Sequence, residues 1–255
     1  MAAALERALG CAGAEQEAAP PVPVLVLGPA GSGRTALLLR VALAGGAHGP
    51  RALYLAPSAP PRLPGGDGDP RALQRLELRY PPTAAALARE LASVPSRPRP
   101  PGLVLLDGLE RYVGGGAGTP SRLAALLLEA TRTPPGQAMA ALRLPPPRDP
   151  RLLPTLRRFF PAECRLRLAA TPTLRWTLRL TRPEAPPQRW TLSVGPSGRL
   201  RAHRDGDGDT DGDGDTDGDG DTDGDGDTDG DGDTDGDGDT DGVGVTNPQS
   251  PQTPG

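Results

Sequence analysis

The sequence predicts an α/β fold with a mostly parallel sheet, completed by antiparallel hairpins and followed by an acidic repeat. Three observations predict it. An apolar segment, residues 22–27, runs into a glycine-rich turn and then into a helix pattern. Short apolar strands then alternate with helix patterns up to residue 160, which is typical of βαβ units. Over residues 164–200, apolar side chains recur at every second position, as in strands with one buried face.

The first predicted elements are a helix, a strand and a second helix. Residues 1–20 are rich in alanine and predict a short helical lead. The segment 22–27 has almost no polar position, as expected of a central parallel strand that is covered on both faces. The next helix pattern, residues 35–44, stops at Gly45-Gly46.

The turn between that strand and helix has the spacing G-x-x-x-x-G-[basic]-[Ser/Thr], which indicates a phosphate-binding P-loop. Its glycines let consecutive backbone N–H groups point at phosphate oxygens, and the helix adds its positive N-terminal end. The Thr35 hydroxyl is available to bind Mg²⁺. A glycine-rich turn without a ligand is the alternative. The predicted phosphate-binding residues are Gly28, Pro29, Ala30, Gly31, Ser32, Gly33, Arg34 and Thr35.

Arg34 stands where a P-loop normally carries lysine. A lysine ammonium is a compact point charge, whereas a guanidinium is planar, larger and prefers bidentate contacts. We therefore expect nucleotide binding to persist and fast hydrolysis to be lost. The chain holds no lysine and no isoleucine, so a codon bias toward GC-rich triplets is another explanation of the arginine.

Asp107 is predicted to supply the carboxylate that completes the nucleotide site. A strand over 52–56 and a helix over 83–92, capped by Thr83, lead to the apolar strand 103–106, which ends at this aspartate. Ligands gather at the carboxyl ends of the strands in open α/β sheets. We therefore expect Asp107 to order the Mg²⁺ shell. A strand that ends at aspartate by chance is the alternative.

The remaining patterns predict a helix over 122–131, a strand over 137–144, a helix over 152–160, and strands over 164–168, 174–180 and 189–194. The alternation in the last three strands places arginines on an exposed face. We expect this face to contact DNA phosphates with little sequence preference. The predicted DNA-binding residues are Arg165, Arg167, Arg175, Arg179 and Arg189.

The net charge of −4 conceals a strong division along the chain. Residues 205–242 are six copies of Asp-Gly-Asp-Gly-Asp-Thr plus Asp-Gly, and hold 19 of the 32 acidic residues. Residues 1–204 contain the remaining 13 acidic residues and all 28 arginines, so their net charge is +15. So basic a body suggests a polyanionic partner, nucleic acid first.

The repeat lacks the apolar positions that pack calcium-binding aspartate repeats, so disorder with weak cation condensation is favoured over a calcium site. Residues 243–255 are predicted to be a disordered tail. We also expect the tethered repeat to compete with DNA phosphate at low salt.

The other residues suit one domain, predicted over 21–204, with a core of its own. Cys11 and Cys164 are too few for a disulfide scaffold or a zinc site. No segment reaches the ~18 apolar residues of a membrane span. These observations predict a soluble intracellular protein without a membrane partner.

Several segments together resemble a known family. They are residues 28–38 (GPAGSGRTALL), 73–83 (LQRLELRYPPT), 103–112 (LVLLDGLERY), 156–164 (LRRFFPAEC) and 189–198 (RWTLSVGPSG). On these residues the chain resembles the small RecA-like ATPase that associates with the SWIM-type zinc-finger protein in the animal Shu complex, a recombinase paralogue. The P-loop is shared by many families, whereas the other segments are more particular.

The resemblance implies a RecA-like core that binds ATP, Mg²⁺, and single- and double-stranded DNA. It implies a nuclear role in homologous recombination with the SWIM protein, the recombinase and its paralogues. The implied activity is a weak, DNA-stimulated ATPase.

Three departures argue for slow or vestigial hydrolysis. Arg34 replaces the P-loop lysine, and Ala56-Pro57-Ser58 stands where RecA-type ATPases carry a glutamate base. Leu142-Arg143-Leu144 stands where RecA-type ATPases end the fourth core strand in an amide or similar polar sensor. Glu110, three residues after Asp107, is the candidate catalytic base.

Two alternatives from other classes remain. One is a non-hydrolysing interaction module in which the P-loop fold only supports partners; nucleotide titration separates it from an ATPase. The other is a small-molecule kinase, which also begins with a P-loop. The sequence shows no lid segment with paired arginines, which argues against a kinase.

Overall fold

The structure is a computed structural model, and it describes residues 3–10, 21–44, 46–60, 70–115, 118–132, 136–145, 150–169, 175–194 and 200–205. Its helices are α1 (Ala3–Ala8), α2 (Arg34–Leu43), α3 (Pro70–Leu73), α4 (Ala84–Ser93), α5 (Thr119–Ala130) and α6 (Leu152–Arg157). Its strands are β1 (Val24–Gly28), β2 (Ala52–Leu55), β3 (Leu76–Arg79), β4 (Leu103–Leu106), β5 (Gln137–Arg143), β6 (Ala162–Leu168), β7 (Arg175–Arg182), β8 (Ala185–Val194) and β9 (Leu200–Arg204).

In the described part of the chain the strands form one sheet in the order β3-β2-β4-β5-β1-β6-β7-β8-β9. Every pair from β3 across to β6 is parallel, and β6 through β9 pair antiparallel. This confirms the predicted parallel core with antiparallel C-terminal strands. Strand β6 joins the two parts of the sheet, because it pairs parallel with β1 and antiparallel with β7. Alternation reveals a half-exposed strand but not the direction of its neighbours.

The central strand β1 is buried at all five positions and supplies both faces of the core. Val24 and Val26 pack with α1 and α2 on one side of the sheet. Leu25 and Leu27 pack with α4, α5 and α6 on the other side. Because side chains alternate along a strand, helices on both faces account for the continuous apolar pattern of this segment.

The strands β7 to β9 are covered on one face only. Leu178, Leu180, Trp190 and Leu192 are buried against the same cluster as α1 and α2. The opposite positions of β7 are exposed, beginning with Arg175. The predicted alternation between an apolar and an arginine face is therefore confirmed.

The predicted N-terminal lead contributes helix α1 to the core. Leu5 is fully buried, and Glu6 forms an ion pair of 2.5 Å with Arg182 of β7. On α2, the Arg40 guanidinium donates a hydrogen bond of 2.7 Å to the carbonyl of Ala8. These contacts fix α1 on the α2 face of the sheet.

The predicted cap of α4 is confirmed, because the Thr83 hydroxyl accepts a hydrogen bond of 3.1 Å from the Ala86 N–H. The helix predicted over 152–160 is shorter and ends at Arg157. Pro161 sets only the outer limit of this helix, since the residue before a proline avoids the helical region. Apart from Asp205, the repeat 205–242 and the tail 243–255 lie outside the described residues.

Within the described ranges, no helix has both the length and the apolar character needed to cross a membrane.

Candidate nucleotide-binding site

The glycine turn follows β1 directly and leads into the first turn of α2. Gly31 has φ 73° and Gly33 has φ 80°, a left-handed conformation that suits glycine. A Cβ on Gly28 would lie 2.3 Å from the Ser32 hydroxyl oxygen. The turn therefore curls so tightly that its first position accepts no side chain, as a phosphate cradle requires.

Two buried polar atoms in this turn lack a hydrogen-bond partner. Ser32 is 1% exposed and its Oγ is unsatisfied. The Arg34 side chain is 13% exposed, and its Nη1 is also without a hydrogen bond. Buried polar groups are normally paired, so these atoms suit a ligand that brings oxygen acceptors. Phosphate meets that requirement.

Asp107 follows β4 and lies beside the start of α2. Its Oδ2 accepts a hydrogen bond of 2.5 Å from the Thr35 hydroxyl and one of 2.7 Å from the Tyr54 hydroxyl. No hydrogen bond from a described residue reaches its Oδ1. The carboxylate and the hydroxyl that P-loop proteins use around Mg²⁺ are thus adjacent, with one carboxylate oxygen left for the ion or its water.

Tyr54 is a site residue that the sequence reasoning missed. Burial raises the pKa of its hydroxyl, and the neighbouring Asp107 raises it further. The hydroxyl therefore stays protonated and acts as a donor to the carboxylate. A tyrosine in an otherwise apolar buried strand was the available signal, because a buried hydroxyl needs a partner.

Glu110 lies in a 3₁₀ helix over Leu109–Arg111. Its Oε2 accepts a hydrogen bond of 3.0 Å from the backbone N–H of Arg143 and lies 3.9 Å from Arg34 Nη1. Burial lowers the pKa of Arg34, while Glu110 and Asp107 oppose that shift. Glu110 therefore lies near the loop, as predicted for a base, but one of its oxygens is already engaged.

Comparisons with known proteins agree with the ATPase family inferred from the sequence. No family model matches the chain. Human ATPase SWSAP1 is 40% identical over 161 residues, which cover 56% of this chain and 70% of the human protein. Mouse ATPase SWSAP1 is 33% identical over 227 residues, which cover 79% of this chain and 81% of the mouse protein. The chain belongs to the SWSAP1 ATPase family. The resemblance stated from the sequence is thereby confirmed.

Solved structures of low identity support the fold of this SWSAP1-family chain. The flagellar accessory protein FlaH from Methanocaldococcus jannaschii aligns with a TM-score of 0.58 at 11% identity, over 73% of this chain and 92% of FlaH. A second solved structure, an isolated ATPase domain, aligns with a TM-score of 0.50 at 10% identity, over 71% of this chain and 84% of that domain. The fold is RecA-like, as expected.

The five arginines predicted to bind DNA lie on one face of the SWSAP1-family sheet. In the register of β6, β7 and β8, Arg165 is opposite Arg179, and Arg179 is opposite Arg189. Arg167 is opposite Thr177, two residues along the same face from Arg165 and Arg179. This defines the arginine face: Arg165, Arg167, Arg175, Arg179 and Arg189.

The arginine face borders a concave cavity of about 680 Å³ between the sheet and the end of α6. Arg157 and Phe160 line its α6 side. Four of the five arginines have no ion-pair partner among the described residues, namely Arg167, Arg175, Arg179 and Arg189. Three of these four, Arg167, Arg179 and Arg189, line the cavity, together with the carboxylates of Glu163 and Asp205. The excess of guanidinium groups favours an anionic ligand.

Arg165 differs from the other four because it is paired. Glu163 accepts hydrogen bonds from Arg165 and, at 2.9 Å, from Arg157. Burial alone would raise the pKa of Glu163, but these two arginines lower it below its ordinary value. Arg165 is thus partly neutralised by its own neighbour.

Proposed function

We propose that this SWSAP1-family chain binds ATP with Mg²⁺ at the P-loop and binds DNA phosphates on the arginine face. The carrying observation is the hydrogen bond between Thr35 and Asp107. It lies beside a loop in which the buried Ser32 Oγ and Arg34 Nη1 have no hydrogen-bond partner. The loop N–H groups and Arg34 would hold the phosphates. Thr35 and Asp107 would hold the ion, whose charge would offset that of the β- and γ-phosphates.

Titration of ATP into the full chain, with Mg²⁺ and with a chelator, tests the nucleotide part. Micromolar binding that depends on Mg²⁺ is expected. Asp107→Asn should remove most of the dependence on Mg²⁺, whereas Glu129→Gln, at an exposed position of α5, should leave it unchanged. Absence of ATP binding by the unaltered chain would favour the non-hydrolysing interaction module.

Hydrolysis is proposed to be slow. RecA-type enzymes place a glutamate base after the second strand, where this chain has Ala56-Pro57-Ser58. Glu110 is the candidate base in its place. Its Oε2, however, already accepts a hydrogen bond from the Arg143 N–H and forms an ion pair with Arg34. If Glu110 is the base, Glu110→Gln should lower kcat about 100-fold or more. If it only positions Arg34, that variant should change ATP affinity and leave kcat within a few-fold.

DNA binding is supported by the unpaired arginines and by the charge of residues 1–204. Phosphate contacts from such a face carry no base readout, so binding should be independent of sequence and strongly dependent on salt. The proposed partners are DNA, a SWIM-type zinc-finger protein and recombinase filaments in the nucleus, as the family resemblance implies. Co-purification of the full chain with a SWIM protein, with and without ATP, tests the partner assignment.

A further inference from the structure

Trp176, the second residue of β7, lies beside the P-loop. It is partly buried on the inner face of β7, where it packs against the core shared with α2. A Cβ on Gly33 would lie 3.8 Å from Trp176 Cε2 and 3.9 Å from its Nε1. The pyrrole edge of the indole therefore borders the last glycine of the loop.

The indole Nε1–H is buried and has no hydrogen-bond partner among the described residues. Buried tryptophan N–H groups normally find an acceptor. The other tryptophan of the chain, Trp190, is 1% exposed and fully within the core. Trp176 instead combines an unsatisfied donor with an incompletely covered ring, beside a loop that binds anions.

The strand order indicates how a nucleotide bound in the loop would be oriented. The proposed Mg²⁺ ligands Thr35 and Asp107 meet on the side of β1 where β5 and β4 lie. Strands β6 and β7 lie on the opposite side of β1. A nucleotide whose terminal phosphates lie toward Asp107 would extend its nucleoside toward β7, where Trp176 lies.

We propose that Trp176 is a nucleoside-contacting residue that makes the site selective for purine nucleotides. Its ring packs against the base, and its Nε1–H donates to a ribose or α-phosphate oxygen. This inference rests on the proposed ATP binding at the P-loop. Because a purine offers a larger π-surface than a pyrimidine, ATP and GTP should bind more tightly than CTP and UTP.

The test compares ATP with tripolyphosphate, a ligand that has phosphates but no nucleoside. Both are titrated with Mg²⁺ into the full unaltered chain and into Trp176→Leu and Trp176→Phe. Leucine keeps apolar packing and removes the aromatic ring, so ATP affinity should fall about tenfold. Phenylalanine keeps a ring and removes the donor, so ATP affinity should fall about threefold. Tripolyphosphate affinity should stay within twofold in both variants.

Two results with the leucine variant would overturn the assignment, and a third comes from the unaltered chain. One is unchanged ATP affinity in Trp176→Leu. The other is an equal loss for ATP and tripolyphosphate, which would mean that the ring only packs the loop. If the unaltered chain binds tripolyphosphate and ATP equally, the P-loop assignment holds and the role of Trp176 fails. If it binds neither ligand, the proposed nucleotide function fails as well.

Fluorescence keeps the proposal testable if the leucine variant does not fold. Trp190→Phe leaves Trp176 as the sole tryptophan. Saturating ATP should change its emission, whereas saturating tripolyphosphate should change it much less. Identical emission with and without bound ATP, with binding verified by calorimetry, would overturn the inference.

Discussion

Thr35 donates a hydrogen bond of 2.5 Å to the Asp107 carboxylate, although 72 residues separate the two along the chain. Thr35 lies in the first turn of α2, and Asp107 comes directly after β4. The contact joins the phosphate loop to the end of a strand two positions away in the sheet. Both groups are thereby held side by side, where the proposed Mg²⁺ would bind.

Arg34 is expected to be the main side-chain cation on the phosphates. Arg34→Ala should weaken ATP binding at least about tenfold, since hydrogen bonds to charged groups are strong. Arg34→Lys should preserve binding and raise turnover, because it restores the compact charge. Isothermal titration and phosphate release measure both, with Arg132→Ala, two residues after the end of α5, as a control. Equal ATP affinity in the unaltered chain and in all these variants would falsify the loop assignment.

Tyr54 is expected to position Asp107 rather than to contact nucleotide. Tyr54→Phe removes one donor from a partly buried carboxylate, so the free energy of unfolding should fall by about 1–3 kcal/mol. The apparent affinity for Mg²⁺ at saturating ATP should fall several-fold. Affinity for ATP measured with a chelator present should not change. If Tyr54→Phe also weakened ATP binding in the presence of the chelator, Tyr54 would instead contact the nucleotide.

The arginine face is expected to bind DNA through phosphates alone. The double variant Arg179→Ala with Arg189→Ala should weaken binding equally for unrelated sequences. It should reduce the slope of log K against log salt by about 1 for each lost contact. Arg132→Ala removes an exposed guanidinium that pairs with Glu129 outside the arginine face, and it should change neither quantity. An unaltered salt slope in the double variant would assign the DNA contacts elsewhere.

Glu163 is expected to contribute to stability above pH 4.5 and not in acid. Its folded-state pKa lies below the ordinary value of 4.5. The unfolded state therefore binds more protons between the two values, and the contribution is lost as pH falls through the folded-state pKa. Glu163→Gln should lower the unfolding free energy at pH 7 by up to about 1 kcal/mol and at pH 3 by less. Glu129→Gln is the exposed control in the same denaturant titrations.

The acidic repeat is expected to oppose DNA binding through its charge. A chain without residues 206–255 loses 18 of the 19 repeat aspartates. It should bind DNA several-fold more tightly at low salt, with the difference shrinking as salt rises. Replacing those aspartates with asparagine keeps the length and should have the same effect. Identical affinities at every salt concentration would make the repeat a passive expansion.

Local sequence patterns determined where the loop and the strands lie along the chain and which strand faces are buried. The glycine spacing located the loop, and four apolar residues followed by Asp107 located the end of β4. The alternation in residues 174–180 separated the buried leucines from the exposed arginines. Each of these signals depends on neighbours along the chain, where side-chain periodicity directly reflects the local geometry of a strand or helix.

Only the tertiary structure decided which of these local features meet. It placed Tyr54 on Asp107 and Trp176 beside Gly33, and it brought Glu110 within reach of Arg34. It also paired β6 parallel with β1 on one side and antiparallel with β7 on the other. Strand order and direction depend on contacts between segments far apart in the chain. Residue periodicity specifies which face of a strand is buried, but it does not specify the strand that lies beside it.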